Sequence, residues 1–183
     1  ALLVRLGWEF DRSGFHDILP AMVAIELLHF STLVIDDWLD DSPLRGGEPS
    51  VANRFGPKAA VVSGEILSAV ATRVLLNVST DKVSDSALLR SVRLLERVRE
   101  DGYVGQWLDL SFEERDDVTE VEYFRMIELT TGLLAETAVL LGATLRGARR
   151  EDLEALGQFG RSFGIALQVR NDVSELVGEP ELI

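Results

Sequence analysis

Apolar side chains recur at helical spacing along almost the whole chain, and no stretch alternates apolar and polar residues for long enough to predict a strand. Ala1 to Phe10 reads as the tail of a helix, followed by a turn through Arg12-Ser13-Gly14. Pro20 suits the first turn of the next helix, where its missing N–H costs nothing. That helix carries Ala21 to about Asp41, with Ile25, Leu28, Thr32 and Ile35 along one side. Pro43, Gly46, Gly47 and Pro49 predict a loop over 42–49. A further apolar helix runs from Pro57 to about Asn77. Ser84 or Asp85 can cap a helix reaching about Leu110, and 111–117 is a charged connector. Thr119 with Glu122 has the capping-box spacing and opens a helix to about Leu145. Two segments, Arg150–Leu156 and Arg161–Leu176, complete the set. The expected fold is all-α: a single antiparallel helical bundle over residues 1–183, with roughly seven to eight helices and no strands.

Composition narrows the function. With 46% hydrophobic and 27% charged residues the chain has the makings of a packed core and is not disordered. A net charge of −13 repels phosphodiester backbones, so no nucleic acid partner is expected. The same charge means that any anionic substrate needs a cation as a bridge. There is no cysteine, which excludes disulfides and thiol chemistry and fits a cytoplasmic setting. The most apolar stretch, Ala21 to Ile35, is interrupted by Glu26 and His29 and reads as too short and too charged for a transmembrane segment. No signal peptide is expected. The chain opens inside one helical pattern and ends just after another, so it reads as part of a longer protein.

Two acidic clusters carry the candidate chemistry. In Asp36-Asp37-Trp38-Leu39-Asp40-Asp41, helical spacing puts Asp36 and Asp37 on the same side as Asp40. Like charges crowded there are destabilising unless a cation sits between them. Mg²⁺ suits the position, because it takes one or two carboxylates and fills its other sites with water and phosphate. The cluster follows the apolar Leu33-Val34-Ile35 and precedes Arg45-Gly46-Gly47, a loop with a cation and accessible amides for a phosphate. In isolation, a solvated helix end would be spelled the same way. The second cluster, Asn171, Asp172, Glu175 and Glu179, repeats at three- and four-residue steps, with Gln168 one turn earlier. An ordinary polar helix face has that pattern too. His16 and His29 read as structural, and Trp38 and Trp107 as packing residues. Gln106 and Asp109 share a face beside Gly102 and Gly105, where either close helix packing or substrate contact would use them.

Taken in order, these landmarks resemble the trans-isoprenyl (polyprenyl) diphosphate synthases. Asp36-Asp37-x-x-Asp40 through Arg45-x-Gly47-x-Pro49 is similar to the family's DDxxD region. Gly64-Glu65-x-Leu67 is similar to its GDxL helix, Gly105-Gln106-x-x-Asp109-Leu110 to GQxxDL, and Thr131-Gly132-x-Leu134 to the end of KTGxL. Gln168-x-x-Asn171-Asp172-x-x-Glu175 stands where the second motif, FQxxDDxxD, belongs. The resemblance implies an isoprenoid-synthase helical bundle around a central cavity, in which an allylic diphosphate is condensed with isopentenyl diphosphate. It implies Mg²⁺ held by Asp36, Asp37, Asp40, Asn171, Asp172 and Glu175. It also implies that Arg45, Thr131 and Gln168 act on the diphosphate, that Ser31, Thr32, Gln106 and Thr130 line the substrate, and that the protein is a homodimer. Small residues at Ser31 and Thr32, five and four positions before the motif, imply products longer than farnesyl.

The chain departs from the family pattern at specific places. Gly46 stands where a second arginine is usual, and Thr130 where a lysine is. Asn171 and Glu175 replace aspartates, and Ile35 and Ala52 occupy positions commonly held by histidine. Segments expected before Ala1 and after Ile183 supply further diphosphate contacts. Loss of isopentenyl-side cations with both acidic motifs kept would also suit an enzyme that ionises an allylic diphosphate by itself, as terpene synthases do. Accumulated losses would suit a non-catalytic subunit of a heteromeric prenyltransferase.

Overall fold

The computed structural model describes residues 1–8, 18–79, 81 and 83–178. The expected turn at Arg12–Gly14, His16 and Glu179 lie outside them. Helix α1 spans Leu2–Trp8, α2 Leu19–Leu39, α3 Val51–Phe55 and α4 Pro57–Leu75. Helix α5 spans Asp85–Phe112 and α6 Glu120–Ile127. A π-helical turn, Glu128–Gly132, leads into α7, Leu133–Arg146, and α8 spans Arg150–Val177. The helices form a bundle in which α2 lies along α4, and α7 lies among α1, α5 and α8. Val4, Ile18, Leu28, Leu75, Leu95, Val139 and Leu141 are fully buried between them.

The local signals act as their chemistry requires. Ser50 and Ser84 cap α3 and α5, and Thr119 and Glu122 form the reciprocal capping box of α6. Three expectations need correction. A two-residue antiparallel pair, β1 Leu44–Arg45 with β2 Glu48–Pro49, does form inside the expected loop. Gly46 and Gly47, at φ 58° and 83°, close it as the tight turn that left-handed residues permit. The expected helix from Thr119 to Leu145 is interrupted by the π-helical turn. The segments 150–156 and 161–176 are one continuous helix.

That last correction has a packing cause. A Cβ at Gly160 would sit 2.8 Å from Glu136 Cα, and one at Gly164 2.7 Å from the Thr131 carbonyl oxygen. These glycines do not break α8; they let it lie almost against the backbone of the π-helical turn and α7. The same device brings α1 onto α7, where a Cβ at Gly142 would lie 1.9 Å from the Val4 carbonyl oxygen.

The expectation of a short apolar stretch over 21–35 also changes, because α2 is a continuous helix of 21 residues. Two stretches, Leu19–Leu39 and Glu120–Arg146, are long and apolar enough to cross a membrane by length and composition. Their buried members, among them Ala24, Ile25 and Leu28 in α2 and Val139 and Leu141 in α7, face the bundle core as in any core helix. Trp107 corrects another expectation: 73% of it is exposed, so it packs little within this chain.

Gly142→Ala should therefore lower the denaturant midpoint by an amount worth about 1–3 kcal/mol, the usual cost of overpacking. Gly102, whose Cβ would meet nothing within 4 Å, is the control. Gly102→Ala should be neutral or stabilising by up to about 1 kcal/mol.

Candidate active site

The first acidic cluster occupies the last turn of α2. There the backbone closes with the Asp40 amide donating to the Asp36 carbonyl (2.9 Å) and the Ser42 amide to the Asp37 carbonyl (2.9 Å). Asp41 takes the left-handed conformation, φ 51°, that such a stop requires. The carboxylates thus stand at the C-terminal end of a helix, where the macrodipole is negative and no basic residue lies in the last turn. The second cluster, Asn171 and Asp172, stands near the C-terminal end of α8, again with no basic residue in the last turn. Both clusters sit at the unfavourable end of their helices.

Asp109 on α5 brings the two together. Its carboxyl is raised above the ordinary value by burial first, and then by the charges of Asp40, Glu113 and Asp172. One side chain therefore feels both motifs. Asp36 is pushed up to about 6, by burial first, then by Asp40, against the opposing pull of Arg45 and with Asp109 and Asp37 adding to the rise. Carboxylates from α2, α5 and α8 converge on one part-buried region.

Arg45, carried back from β1, is the cation that answers the first motif. It donates from Nε to Asp37 Oδ1 at 2.9 Å and also through Nη2, and Nη2 lies 3.8 Å from Asp36. Asp37 is only 4% exposed, so this pair neutralises a charge taken out of water. The guanidinium expected to face a phosphate is thus engaged with the motif's own carboxylates.

On the other side, Thr131 donates from Oγ1 to Gln168 Oε1 (2.8 Å), and Gln168 donates from Nε2 to Asp172 Oδ1 (2.8 Å). Tyr123 of α6 donates its hydroxyl proton to Asp172 Oδ2 at 2.5 Å. Burial first, then this bond to a carboxylate, pushes the Tyr123 phenol up to about 12. Thr130, where a lysine is usual in the resembled family, turns its hydroxyl to the Met126 carbonyl at 3.2 Å. Asn171 accepts a hydrogen bond from Arg170 at 3.2 Å. The side chain of Glu175 lies outside the described residues.

The structure thus brings Asp36, Asp37, Asp40, Arg45, Thr131, Gln168 and Asp172 into two linked sets. Gln106 projects from the Asp109 helix with its Nε2 buried and without a partner among the described residues. Beside it, Gly105 serves packing: a Cβ there would be 2.7 Å from Thr130 Cγ2. Ser31 and Thr32 differ. Both bond a carbonyl one turn back at 2.7 Å, those of Leu28 and His29, but Ser31 is buried beside α4 and Thr32 is exposed. Sequence reasoning left Asp109 undecided and missed Tyr123. The order Gly105-Gln106-x-x-Asp109 pointed to the first, and nothing in the residue pattern pointed to the second.

The oxygen-rich donor set fits a hard divalent cation. Among the described residues, no three Asp, Glu or His side chains close around a point as a cage would. Mg²⁺ does not need one, since it retains waters and completes its shell with phosphate oxygens.

Known proteins identify the scaffold. The polyprenyl synthetase family model matches residues 2–183. The chain belongs to that family. It is 37% identical to the geranylgeranyl diphosphate synthase of Methanosarcina mazei over 178 residues, which is 97% of this chain and 54% of that protein. A geranylgeranyl pyrophosphate synthase of Geoglobus acetivorans is 33% identical over 99% of this chain and 56% of its own length. The solved structure of the Geoglobus acetivorans enzyme superposes with a TM-score of 0.87 at 33% identity, covering 95% of this chain and 55% of that one. That of Pyrococcus horikoshii geranylgeranyl pyrophosphate synthetase gives 0.90 at 29% identity, covering 97% and 55%. The chain spans about half the length of the relatives it matches. The isoprenoid-synthase bundle expected from the resemblance is the fold observed.

The raised Asp36 carboxyl sets a pH dependence with a definite sign. Folded Asp36 holds its proton up to about 6, whereas its ordinary value is 3.8. Between those values the folded state binds more protons, so its stability contribution is present at low pH and is lost as pH rises through the window. A divalent cation should offset that loss only where Asp36 is ionised. In chelator the melting temperature of wild type should fall relative to Asp36→Asn as pH rises from 3.8 to about 6. Added Mg²⁺ with pyrophosphate should raise it more at neutral pH than at acid pH. Equal gains at both would rule out Asp36 as the titrating ligand.

Proposed function

We propose that the protein is a Mg²⁺-dependent prenyltransferase that condenses an allylic diphosphate with isopentenyl diphosphate to give a longer polyprenyl diphosphate. The observation that carries this reading is the convergence of acidic side chains from the ends of α2 and α8 on Asp109, within the polyprenyl synthetase fold. Relatives at 31–37% identity are named geranylgeranyl, geranylfarnesyl and short-chain isoprenyl diphosphate synthases, which supports it.

In this reading Asp36, Asp37 and Asp40 on one side, and Asp172 with Asn171 and Glu175 on the other, would hold Mg²⁺. Bound Mg²⁺ supplies Lewis acidity toward the departing diphosphate. Arg45 orients Asp37 and has N–H donors beyond those bonds to offer a phosphate. Thr131 and Gln168 fix the Asp172 face of the site. Gln106 brings its unpartnered amide to the substrate side of α5. The allylic C–O bond breaks, the isopentenyl double bond attacks the resulting cation, and a proton is lost. Val62 and Ile66 on α4, with Val104 and Trp107 on α5, expose an apolar surface that supports the homodimer reading. A cytoplasmic location accords with the absence of cysteine.

A second reading rests on the missing cations. Gly46 occupies a left-handed turn, and Thr130 is turned to its own helix, so neither supplies charge to a second diphosphate. That favours ionisation of an allylic diphosphate without isopentenyl diphosphate. Incubation with Mg²⁺ and geranyl, farnesyl or geranylgeranyl diphosphate, with and without isopentenyl diphosphate, separates the two. Prenyl transfer requires both substrates and yields longer diphosphates; hydrocarbon or alcohol from the allylic substrate alone supports the second reading. No turnover unless a related catalytic subunit is added would instead mark a non-catalytic partner.

Two substitutions test the site. Asp172→Ala should lower kcat/KM at least about 100-fold, the scale of removing a group that stabilises developing charge. Thr32→Phe should shorten the products, because Thr32 is exposed before the first motif. Ser31→Phe should shorten them as well, but with a loss of melting temperature, since Ser31 is buried. Product lengths unchanged in both variants would remove the chain-length assignment.

A further inference from the structure

Tyr123 lies 49 residues from Asp172 in sequence, on the first turn of a different helix, yet its hydroxyl reaches Asp172 Oδ2 at 2.5 Å. Asp172 Oδ1 is already held by Gln168 Nε2 at 2.8 Å, and Gln168 is itself oriented by Thr131. Each oxygen of one carboxylate therefore accepts a hydrogen bond from a different element. A carboxylate oxygen has two acceptor positions, so one on each oxygen stays available, and its direction is set by the two donors. A group that only needed burial would not require a donor on both oxygens.

The position of Tyr123 is itself fixed. Thr119 and Glu122 close the reciprocal cap at the start of α6. Glu122 is further clasped by Arg115, with Nη1 at 2.9 Å from Oε1, while Arg115 Nε bonds Asp117. The Tyr123 ring meets Phe124 edge-on at 5.5 Å. The hydroxyl is thus carried by a helix start that is pinned by capping rather than by a mobile arm.

We propose that Tyr123 is a positioning residue for the metal-holding carboxylate of Asp172: with Gln168 it fixes both carboxylate oxygens, so that the remaining lone pairs point into the site. Tyr123 does not touch the substrate; it acts through Asp172. This inference rests on the reading of Asp172 as a Mg²⁺ ligand. Partners of metal-binding carboxylates ordinarily contribute about 10–100-fold to metal affinity. The phenol is also a donor that stays protonated at working pH.

The experiment is calorimetric titration of inorganic pyrophosphate in excess Mg²⁺ into the full chain, for wild type, Tyr123→Phe, Asp172→Asn and the double variant. Tyr123→Phe should weaken binding about 10–100-fold and should cost nothing further when Asp172 is already Asn. Its melting temperature in chelator should stay within a few degrees of wild type, because one hydroxyl is lost from a part-exposed ring. In turnover, the Mg²⁺ concentration for half-maximal rate should rise more than kcat falls. Wild-type binding with Tyr123→Phe unchanged, or an equal loss in both Asp172 backgrounds, would overturn the assignment of Tyr123 and leave the prenyltransferase reading standing. If Tyr123→Phe does not fold, Tyr123→Trp, which also lacks the hydroxyl donor to Oδ2, takes its place under the same criteria. Absence of pyrophosphate binding by wild type would overturn both.

Discussion

Negative charge crowded near two helix ends governs this molecule. A carboxylate at a helix C-terminus opposes the macrodipole, and two or three of them in one turn also oppose one another. The chain nevertheless places Asp36, Asp37 and Asp40 at the end of α2 and Asp172 near the end of α8, then adds Asp109 between them. Arg45 answers the first cluster by pairing with Asp37 and lying near Asp36. The residual cost is visible in the Asp36 carboxyl, which holds its proton to about 6. The proposed Mg²⁺ role gives that arrangement a physical purpose.

What holds the opposing charges in register is close backbone packing. Gly160 and Gly164 let α8 approach the turn at Glu128–Gly132, and that approach is what lets Thr131 reach Gln168, which bonds Asp172 one turn further along α8. The π-helical geometry of that turn matters for the same reason. An extra residue in the turn shifts which side chains face α8, and such turns recur at functional sites. On the opposite flank, Gly105 lets α5 close against Leu129 and Thr130, which holds Asp109 between the two motifs. Small residues on α5 and α8 thus set the spacing of the acidic ones.

The departures from the family pattern acquire physical content in this setting. Gly46 is not simply a missing arginine: it occupies a left-handed turn position that joins β1 to β2 and aims Arg45 back at the motif. Thr130 bonds the carbonyl of its own preceding turn and brings no charge to the site. Both changes remove positive charge from the site and leave its negative charge intact. On the prenyltransferase reading, that leaves bound cations a larger share of the negative charge to balance.

Much of this was legible in the residue order. Helical periodicity predicted the bundle, Thr119 and Glu122 announced a helix start, and two acidic clusters separated by ordered landmarks marked the candidate site. These are local or one-dimensional features, written in spacing and capping, so they survive without coordinates. Other features were decided by contacts between distant residues. The continuity of α8 through its glycines depends on the neighbour those glycines admit, and sequence alone reads glycine as a break. The pairing of Arg45 with Asp37 depends on a turn that folds back, and the exposure of Trp107 on which faces the bundle leaves uncovered. The bond from Tyr123 to Asp172 joins residues on separate helices. The sequence by itself determined which side chains carry charge and on which helices they ride. Only the tertiary structure decided which of those charges meet, because a hydrogen bond is made at about 3 Å and no pattern along one chain specifies that distance between two others.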